Sequence, residues 1–274
     1  VPGKLHSAGV SRPGQPFIIS GHNESIAWGM TNVMTDDIDF YRLTTDPDHP
    51  GDYFYDGEWK PLRQHIETIH IKGGDSVTDT LLFSHHGPVI NRFKSWDDGL
   101  LAMRWTGNEP SNEIRSVYLL NRAQNWQDFR RAMTTFRSVS QNVNYADIHG
   151  NIGLQTCAGI PIRGHDSPHR ILDGAITETE WLGMVPFEKL PFTYNPAENF
   201  TASANNQTTG DPDFYHISHW FALPYRIHRI RDFLENTSGA TPATICSLQT
   251  DTQSALAEWM VPILCHTLEN DPVS

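Results

Sequence analysis

GHNESIAWGMTN at residues 21–32, followed by DDID at residues 36–39, is the stretch that decides the fold. Two short apolar runs, Ile18–Ile19 and Ile26–Trp28, stand on either side of Gly21–Asn23. Because Gly and Asn are frequent turn formers, this pattern predicts a β-hairpin with its turn at Gly21–Asn23. The hairpin leads into the acidic residues 36–39, which we call the acidic elbow.

The acidic elbow carries the donor types of a site for a hard cation. Asp36 and Asp39 bracket Ile38, so two carboxylates and one backbone carbonyl can converge on one point. Calcium takes oxygen ligands of this kind, roughly six to eight of them. The alternative is a solvated acidic turn, and the spacing alone favours it because further ligands would have to come from elsewhere.

Composition bounds the class of protein. The 274 residues suffice for one large domain or two ordinary ones. A net charge of -12 without a basic run argues against a nucleic-acid partner. There is no apolar run of membrane-spanning length and no signal-peptide pattern, and the start at Val1 suggests a cut end. Three cysteines exclude a disulfide-rich scaffold and leave the pairing open: Cys157, Cys246 and Cys265.

The order of the predicted elements indicates the fold class. Strands are expected over residues 15–110 and 139–205, and helices over 112–137 and 219–268. In the first helical block, Phe129, Met133 and Phe136 recur at the spacing of one helix face. Strands followed by helices, twice over, predict an α+β fold rather than alternating βαβ units.

His85 and His86, followed by Gly87–Pro88, form the most tempting metal motif in the sequence. Adjacent side chains of a strand point to opposite faces, so we expect the two histidines not to share one metal ion. The favoured interpretation is a turn, with Gly87–Pro88 ending a strand.

Amide and guanidinium groups recur in the second half of the chain. Residues 158–200 are expected to form a long ordered loop region, and Phe200–Ala204 a short strand that leads to Asn205–Asn206. A side-chain amide there can donate to the oxyanion of acyl transfer, a contribution of about 3–4 kcal/mol, or can be a simple turn asparagine. Arg226 and Arg229 begin a helix face and could fix a catalytic group, although surface pairs are commoner.

Motifs of other catalytic classes do not occur in the sequence. There is no G-x-S-x-G elbow, P-loop, dinucleotide fingerprint or H-E-x-x-H. A hydrolase interpretation therefore needs a nucleophile that none of these motifs displays.

Five motifs follow one another along the chain: Gly21–Asp39, His86–Ile90, Tyr145–Gly153, Ala202–Asn206 and Tyr225–Ile230. In this order they resemble the penicillin amidase family, which includes penicillin acylases, glutaryl cephalosporin acylases and acyl-homoserine lactone acylases. The resemblance covers essentially the whole chain, and five ordered motifs are far more specific than any one of them.

The resemblance implies an N-terminal nucleophile hydrolase with a four-layer αββα sandwich. In that family a precursor cleaves itself, and the new N-terminal Ser attacks while its own α-amine, whose pKa is near neutrality, takes the proton. That Ser precedes the motif at Gly21 by a few dozen residues, and Ser7 and Ser11 match nothing. Residues 1–274 are therefore expected to be an internal, inactive fragment of the large (β) subunit, with the N- and C-terminal parts of the sandwich missing.

The same resemblance implies roles for individual residues. Asn205 matches the asparagine whose side chain donates to the oxyanion, and Asn32 matches the position whose backbone N–H is the second donor. Arg226 matches an arginine that supports the site. Val33 and Met34 match positions that face the acyl pocket.

By resemblance, the acidic elbow becomes a structural calcium site. The expected ligands are Asp36, the carbonyl of Ile38, Asp39, the carbonyl of Pro168, and one aspartate after Asn205–Asn206. Asp211 and Asp213 are both candidates for that aspartate; the spacing does not choose between them, and Asp213 is the working choice.

The function implied for the parent protein is hydrolysis of a linear carbon–nitrogen amide bond of penicillin, cephalosporin or acyl-homoserine lactone type, in the periplasm or outside the cell. The expected partners are a small acyl-amide substrate, the small subunit and the remaining large-subunit segments, with no nucleic acid and no membrane. The alternative is a non-catalytic, calcium-stabilised binding module on the same scaffold. The fragment is also expected to expose apolar surface where missing elements belong.

Overall fold

A computed structural model describes residues 5–93, 96, 98–164, 170–211 and 214–270. Its strands are β1 Ser7–Val10, β2 Ser20–Asn23, β3 Ile26–Asn32, β4 Ile38–Leu43, β5 Asp52–Tyr55, β6 Glu58–Pro61, β7 Arg63–Ile69, β8 Val77–Phe83, β9 Leu100–Trp105, β10 Gln141–Asp147, β11 Ile152–Cys157, β12 Pro161–Arg163, β13 Leu172–Asp173, β14 Trp181–Met184 and β15 Phe192–Tyr194. Its α-helices are α1 Glu113–Leu120, α2 Trp126–Met133, α3 Tyr225–Glu235, α4 Pro242–Gln249 and α5 Ala255–Asn270.

The largest sheet has six strands in the order β1-β2-β3-β10-β11-β15, and every neighbouring pair is antiparallel. Trp28 of β3 lies directly opposite Tyr145 of β10, and both are buried. Since directly opposed residues share one face of a sheet, these two rings mark the face that is covered by other elements.

Helices α1 and α2 contribute to the core of this sheet. Each is preceded by an N-cap asparagine, Asn112 or Asn125, whose side chain accepts a hydrogen bond from a backbone N–H of the first helical turn. Phe129 and Met133 are fully buried in one cluster with Trp28 and Tyr145. The predicted apolar helix face is therefore confirmed for Phe129 and Met133, whereas Phe136 joins the same cluster from beyond the end of α2.

A second sheet, in the order β13-β4-β9, lies beyond the acidic elbow in the sequence. Its core is built from Tyr41 and Leu43 of β4 with Ala102 of β9, all nearly inaccessible to solvent. Residues 33–37 join the end of β3 in the six-stranded sheet to the start of β4 in this one, and the acidic elbow includes the first two residues of β4.

The predicted turn at Gly21–Asn23 is wrong by a few residues. These residues belong to β2, and the turn lies at Glu24–Ser25. Asn23 still stabilises the turn, because its side-chain oxygen accepts hydrogen bonds from the N–H groups of Ser25 and Ile26 at 2.8 and 2.9 Å. The asparagine acts from the strand end instead of occupying the turn.

The predicted strand at Phe200–Ala204 is also absent from the structure. Side chains replace the backbone ladder there: Thr201 donates to the Asn144 side chain at 2.8 Å, and Ser203 accepts from Thr31 at 2.7 Å. The loop region expected over residues 158–200 contains the short strands β12 to β15.

The cysteines are free: Cys157 is buried, and Cys246 and Cys265 are exposed. Among the described residues, no helix combines the length and the apolar character needed to cross a bilayer. Helix α5 nevertheless exposes several large apolar side chains, including Trp259 and Leu268.

Replacing Gly153 with alanine is expected to destabilise the protein by about 1–3 kcal/mol, because the added methyl overpacks a filled site. A Cβ at Gly153 would lie 2.7 Å from a ring carbon of Trp126 and 2.9 Å from the carbonyl of Thr193. The measurement is the free energy of unfolding in urea. Gly29→Ala in β3 is the matched control, since a Cβ there meets nothing within 4 Å. Equal effects of the two substitutions would contradict the packing argument.

Candidate active site

The edge of β3 is open at its C-terminal end. β2 pairs with β3 only at Gly21↔Trp28 and His22↔Ala27. On the other side, the N–H of Val33 donates to the carbonyl of Ser140 at 3.2 Å, which continues the β10 ladder. Because hydrogen-bonding direction alternates along an antiparallel strand, the N–H and C=O of Asn32 point to the open edge, away from β10.

Asn205 lies against this open edge. Its side-chain Nδ2 donates to the carbonyl of Asn32 at 2.9 Å, although 173 residues separate the two in sequence. Its backbone has φ 62°, in the left-handed region, which asparagine tolerates better than most residues. The carbonyl of Asn205 also accepts the N–H of Ala222 at 2.8 Å. Hydrogen bonds therefore hold both the side chain and the backbone of Asn205 in place.

Arg226, in the first turn of α3, sets the orientation of the Asn205 amide. Its Nη2 donates to Oδ1 of Asn205 at 2.9 Å and to the carbonyl of Ala204 at 2.8 Å. A guanidinium can only donate, so the amide must turn its oxygen to Arg226 and its nitrogen to β3. The structure thus brings together the three residues predicted for catalysis, and we call Asn32, Asn205 and Arg226 the amide cradle.

The amide cradle places two donors on one strand edge. The N–H of Asn32 and Nδ2 of Asn205 both lie there, and Nδ2 carries a second hydrogen besides the one given to Asn32. Preorganised donors of this type stabilise a developing oxyanion, because they need no reorganisation when the charge appears. The arrangement is suited to acyl transfer.

The two residues predicted to face an acyl pocket differ in placement. Val33 is fully buried and packs with Ile160 and Val185, so its side chain belongs to a core cluster and not to an open pocket. Met34 is partly exposed, with φ 66°, and its N–H donates to the Asn32 side chain at 2.7 Å. Of the two, Met34 is the one placed to reach a ligand without repacking of the core.

Ser203 and Arg229 are polar neighbours of the amide cradle with other partners. Ser203 accepts hydrogen bonds from Thr31 at 2.7 Å and from Asn142 at 3.3 Å, and neither partner is a base. Arg229 pairs with Asp251 at 2.7 Å, so it ties α3 to the segment after α4. Neither residue has the surroundings of an activated nucleophile or an oxyanion donor.

The acidic elbow is closed by a buried arginine that the sequence analysis missed. Arg163 of β12 bonds through Nε to Asp39 at 2.7 Å and through Nη2 to the carbonyl of Asp36 at 2.9 Å. Asp39 also accepts from Trp181, and Asp36 pairs with His216 at 3.0 Å. No sequence signal links these groups, because their partners lie 124 or more residues away.

Asp37 faces a different environment from Asp36 and Asp39. Its carboxylate accepts from Trp105 at 3.3 Å and from Thr106 at 3.2 Å. Burial raises the pKa of Asp37 above its ordinary value, against the lowering effect of these hydrogen bonds. Asp37 is thus a structural residue within the elbow that is not a proposed ligand, and it is a natural control for Asp36 and Asp39.

The described donors fit a calcium site in type and fall short of it in number. Asp36 and Asp39 supply carboxylates that both lie within 4 Å of the Arg163 guanidinium. Thr106 bonds to the carbonyl of Asp37, so by strand alternation the carbonyl of Ile38 points away from β9. Calcium needs roughly three to five further oxygens. The predicted ligands Pro168 and Asp213 lie outside the described residues, and Asp211 is an exposed loop residue.

The expectation that His85 and His86 point apart is wrong. Neither lies in a strand, because both follow the end of β8, and their ring centroids are 3.8 Å apart. Both approach the carboxylate of Glu180, at 3.1 and 3.3 Å. Burial lowers the pKa of His86 to about 4, so its imidazole is neutral at pH 7. Burial would raise the pKa of Glu180, but the hydrogen bond with His85 and the positive charge of Arg104 hold this pKa below its ordinary value.

Sequence comparisons identify relatives over most of the chain. The family model described as penicillin amidase matches residues 1–273. The penicillin G acylase of Escherichia coli is 31% identical over 227 residues, which are 80% of this chain and 26% of that protein. The acyl-homoserine lactone acylase QuiP of Pseudomonas syringae pv. syringae is 26% identical over 257 residues, 93% of this chain and 31% of that protein. The chain thus spans about a quarter to a third of the length of these relatives.

A solved structure shares the fold. The thermostable penicillin G acylase from Alcaligenes faecalis superposes with a TM-score of 0.71 at 23% identity, covering 90% of this chain and 46% of that one. The mixed α+β architecture predicted from the element order agrees with this likeness.

Proposed function

The chain belongs to the penicillin amidase family, and we propose that it is part of an acylase that hydrolyses a linear carbon–nitrogen amide bond of penicillin, cephalosporin or acyl-homoserine lactone type. One observation supports this most directly: Arg226 holds the Asn205 amide so that its nitrogen faces the open edge of β3.

In the proposed reaction, an N-terminal Ser outside the described residues attacks the amide carbonyl, and its α-amine takes the hydroxyl proton. The carbonyl oxygen then carries negative charge, and the N–H of Asn32 and Nδ2 of Asn205 donate to it. Collapse of the tetrahedral intermediate expels the amine with a proton and leaves an acyl-serine ester, which water hydrolyses. Arg226 acts through Asn205 and is a positioning residue.

The same proposal extends to architecture, partners and location. We propose that the six-stranded sheet and the β13-β4-β9 sheet belong to a four-layer αββα sandwich completed by a small subunit and by further segments of the large subunit. The exposed apolar side chains of α5, such as Trp259 and Leu264, support contact with additional chain. A periplasmic or secreted location is proposed from the family resemblance alone.

The test uses the full-length precursor. Self-cleavage that exposes an N-terminal Ser, followed by turnover of a chromogenic acyl amide, is the expected result. A panel of phenylacetyl, glutaryl and long-chain acyl amides then assigns the acyl group. A precursor that exposes the Ser and turns over none of these substrates would overturn the acylase proposal and leave a binding module.

We also propose that the acidic elbow holds a structural calcium ion, with Asp36, Asp39 and the Ile38 carbonyl joined by Pro168 and by Asp211 or Asp213. Removing calcium with a chelator is expected to lower the stability by about 3 kcal/mol for an ion present at roughly 100 times its Kd. The measurement is the melting temperature with and without chelator, with a fall of several degrees expected.

Two substitutions make the calcium test specific. Asp36→Asn should abolish the chelator-dependent shift, because it removes a proposed ligand. Asp37→Asn should preserve the shift, because this carboxylate bonds to Trp105 and Thr106 instead. A melting temperature of the unsubstituted protein that calcium does not change would refute the calcium site.

A further inference from the structure

The side chains of His85, His86 and Glu180, none of which belongs to the amide cradle, converge on one point. Nε2 of His85 lies 3.1 Å from Oε1 of Glu180, and Nδ1 of His86 lies 3.3 Å from the same oxygen. One ligand atom from each residue lies within 4.8 Å of the others, and within the described ranges this is the only such group of three. Such atoms could all reach one ion after small side-chain adjustments.

His86 brings a buried nitrogen that lacks a hydrogen bond. The residue is 3% exposed, and its Nε2 lies 3.3 Å from the carbonyl of Gly174. A carbonyl only accepts, so Nε2 carries the hydrogen and Nδ1 of the neutral ring presents a lone pair. Nδ1 has no hydrogen-bond partner among the described residues and faces a carboxylate oxygen. A lone pair against an anion is unfavourable, and either a proton or a metal cation between the two atoms would relieve it.

The partners of the three side chains have the pattern found behind metal ligands. The Gly174 carbonyl fixes the tautomer of His86, and the Tyr53 hydroxyl lies 2.9 Å from Nδ1 of His85. Arg104 bonds to Oε2 of Glu180, which leaves Oε1 for the two imidazoles. The positive charge of Arg104 lowers the affinity of the site for a cation. The Arg104 side chain, however, bonds to none of the three converging atoms.

We propose that His85, His86 and Glu180 bind a divalent first-row transition ion, with Zn²⁺ as the representative. Two imidazoles and one carboxylate suit such ions, whereas calcium prefers oxygen alone. The His85 side chain is one-third exposed, which provides an entry route and room for water as a fourth ligand. The site differs from the acidic elbow in its donors, because two of its three ligand atoms are imidazole nitrogens. The proposal does not depend on the proposed acylase activity.

Isothermal titration with Zn²⁺ tests the proposal, in excess calcium so that an all-oxygen site is already filled. We expect one zinc per chain in the unsubstituted protein and binding weakened about tenfold or more in His85→Gln. Glu180→Gln should weaken binding similarly. Co²⁺ in place of Zn²⁺ should give visible d–d absorption that both variants lose, while circular dichroism and the melting temperature report that they remain folded.

His65→Gln is the matched control. His65 pairs with Glu67 at 2.6 Å on an exposed strand, so it repeats the chemistry of one histidine and one carboxylate without the third ligand. Zinc affinity in this variant should equal that of the unsubstituted protein. Absence of stoichiometric zinc binding, or equal binding in a folded His85→Gln variant, would overturn the proposal.

Discussion

Asn205→Ala in the full-length, self-cleaved protein is expected to lower kcat about 10²–10³-fold, equivalent to roughly 3–4 kcal/mol of lost transition-state stabilisation. The substitution removes Nδ2, the side-chain donor that lies on the β3 edge beside the N–H of Asn32. KM should change little, because the charge on the oxygen develops only in the transition state. The measurement is kcat on a chromogenic acyl amide, with mass spectrometry to establish that the precursor has cleaved.

Asn206→Ala is the control for this prediction. Asn206 is the same residue type one position along, but its side chain bonds to the N–H of Ala204 and the carbonyl of Gln207, away from β3. Its kcat should stay within a few-fold of the unsubstituted enzyme. A cleaved Asn205→Ala protein with undiminished kcat, or an equal loss in Asn206→Ala, would remove Asn205 from the reaction.

The residues of the amide cradle could be predicted because five ordered motifs resemble the penicillin amidase family; the residues alone favoured a turn asparagine at Asn205 and a surface arginine at Arg226. In β3, buried Ile26 and Trp28 alternate with exposed Ala27, which is typical of a strand with one covered face. Asn205 follows a stretch whose strand assignment is wrong, yet its placement does not depend on that strand. Its position is set by Arg226 and by the carbonyl of Asn32, contacts between segments far apart in the chain.

The residues that the sequence did not predict act through long-range contacts or through a break in regular structure. Arg163 reaches Asp39 across 124 residues, and no spacing rule connects them. His85 and His86 share a partner because the chain leaves β8 just before them, so the alternation that separates side chains in a strand no longer applies. In both cases the tertiary structure determines which side chains come into contact, and the local sequence pattern does not predict those contacts.

Arg163→Ala is expected to destabilise the protein by about 3–5 kcal/mol, because it leaves buried carboxylates without their counter-charge. The side chain of Arg163 is 6% exposed, and its Nε donates at 2.7 Å to Asp39, whose side chain is 2% exposed. Taking the guanidinium away also removes the hydrogen bond to the carbonyl of Asp36. The measurement is the free energy of unfolding in urea, made with a chelator present so that calcium does not replace the lost charge.

Two further variants separate the buried charge from the loss of side-chain volume. Arg42→Ala removes an exposed arginine that pairs with Asp98 at 2.9 Å, and it should cost at most about 1 kcal/mol because solvent screens such pairs. The double substitution Arg163→Ala with Asp39→Asn should recover part of the loss, since the amide carries no charge to compensate. If Arg163→Ala lowers the free energy of unfolding no more than Arg42→Ala does, the charge of Arg163 does not stabilise the acidic elbow. Calcium that restores the stability of Arg163→Ala would link the ion and the arginine to the same two carboxylates.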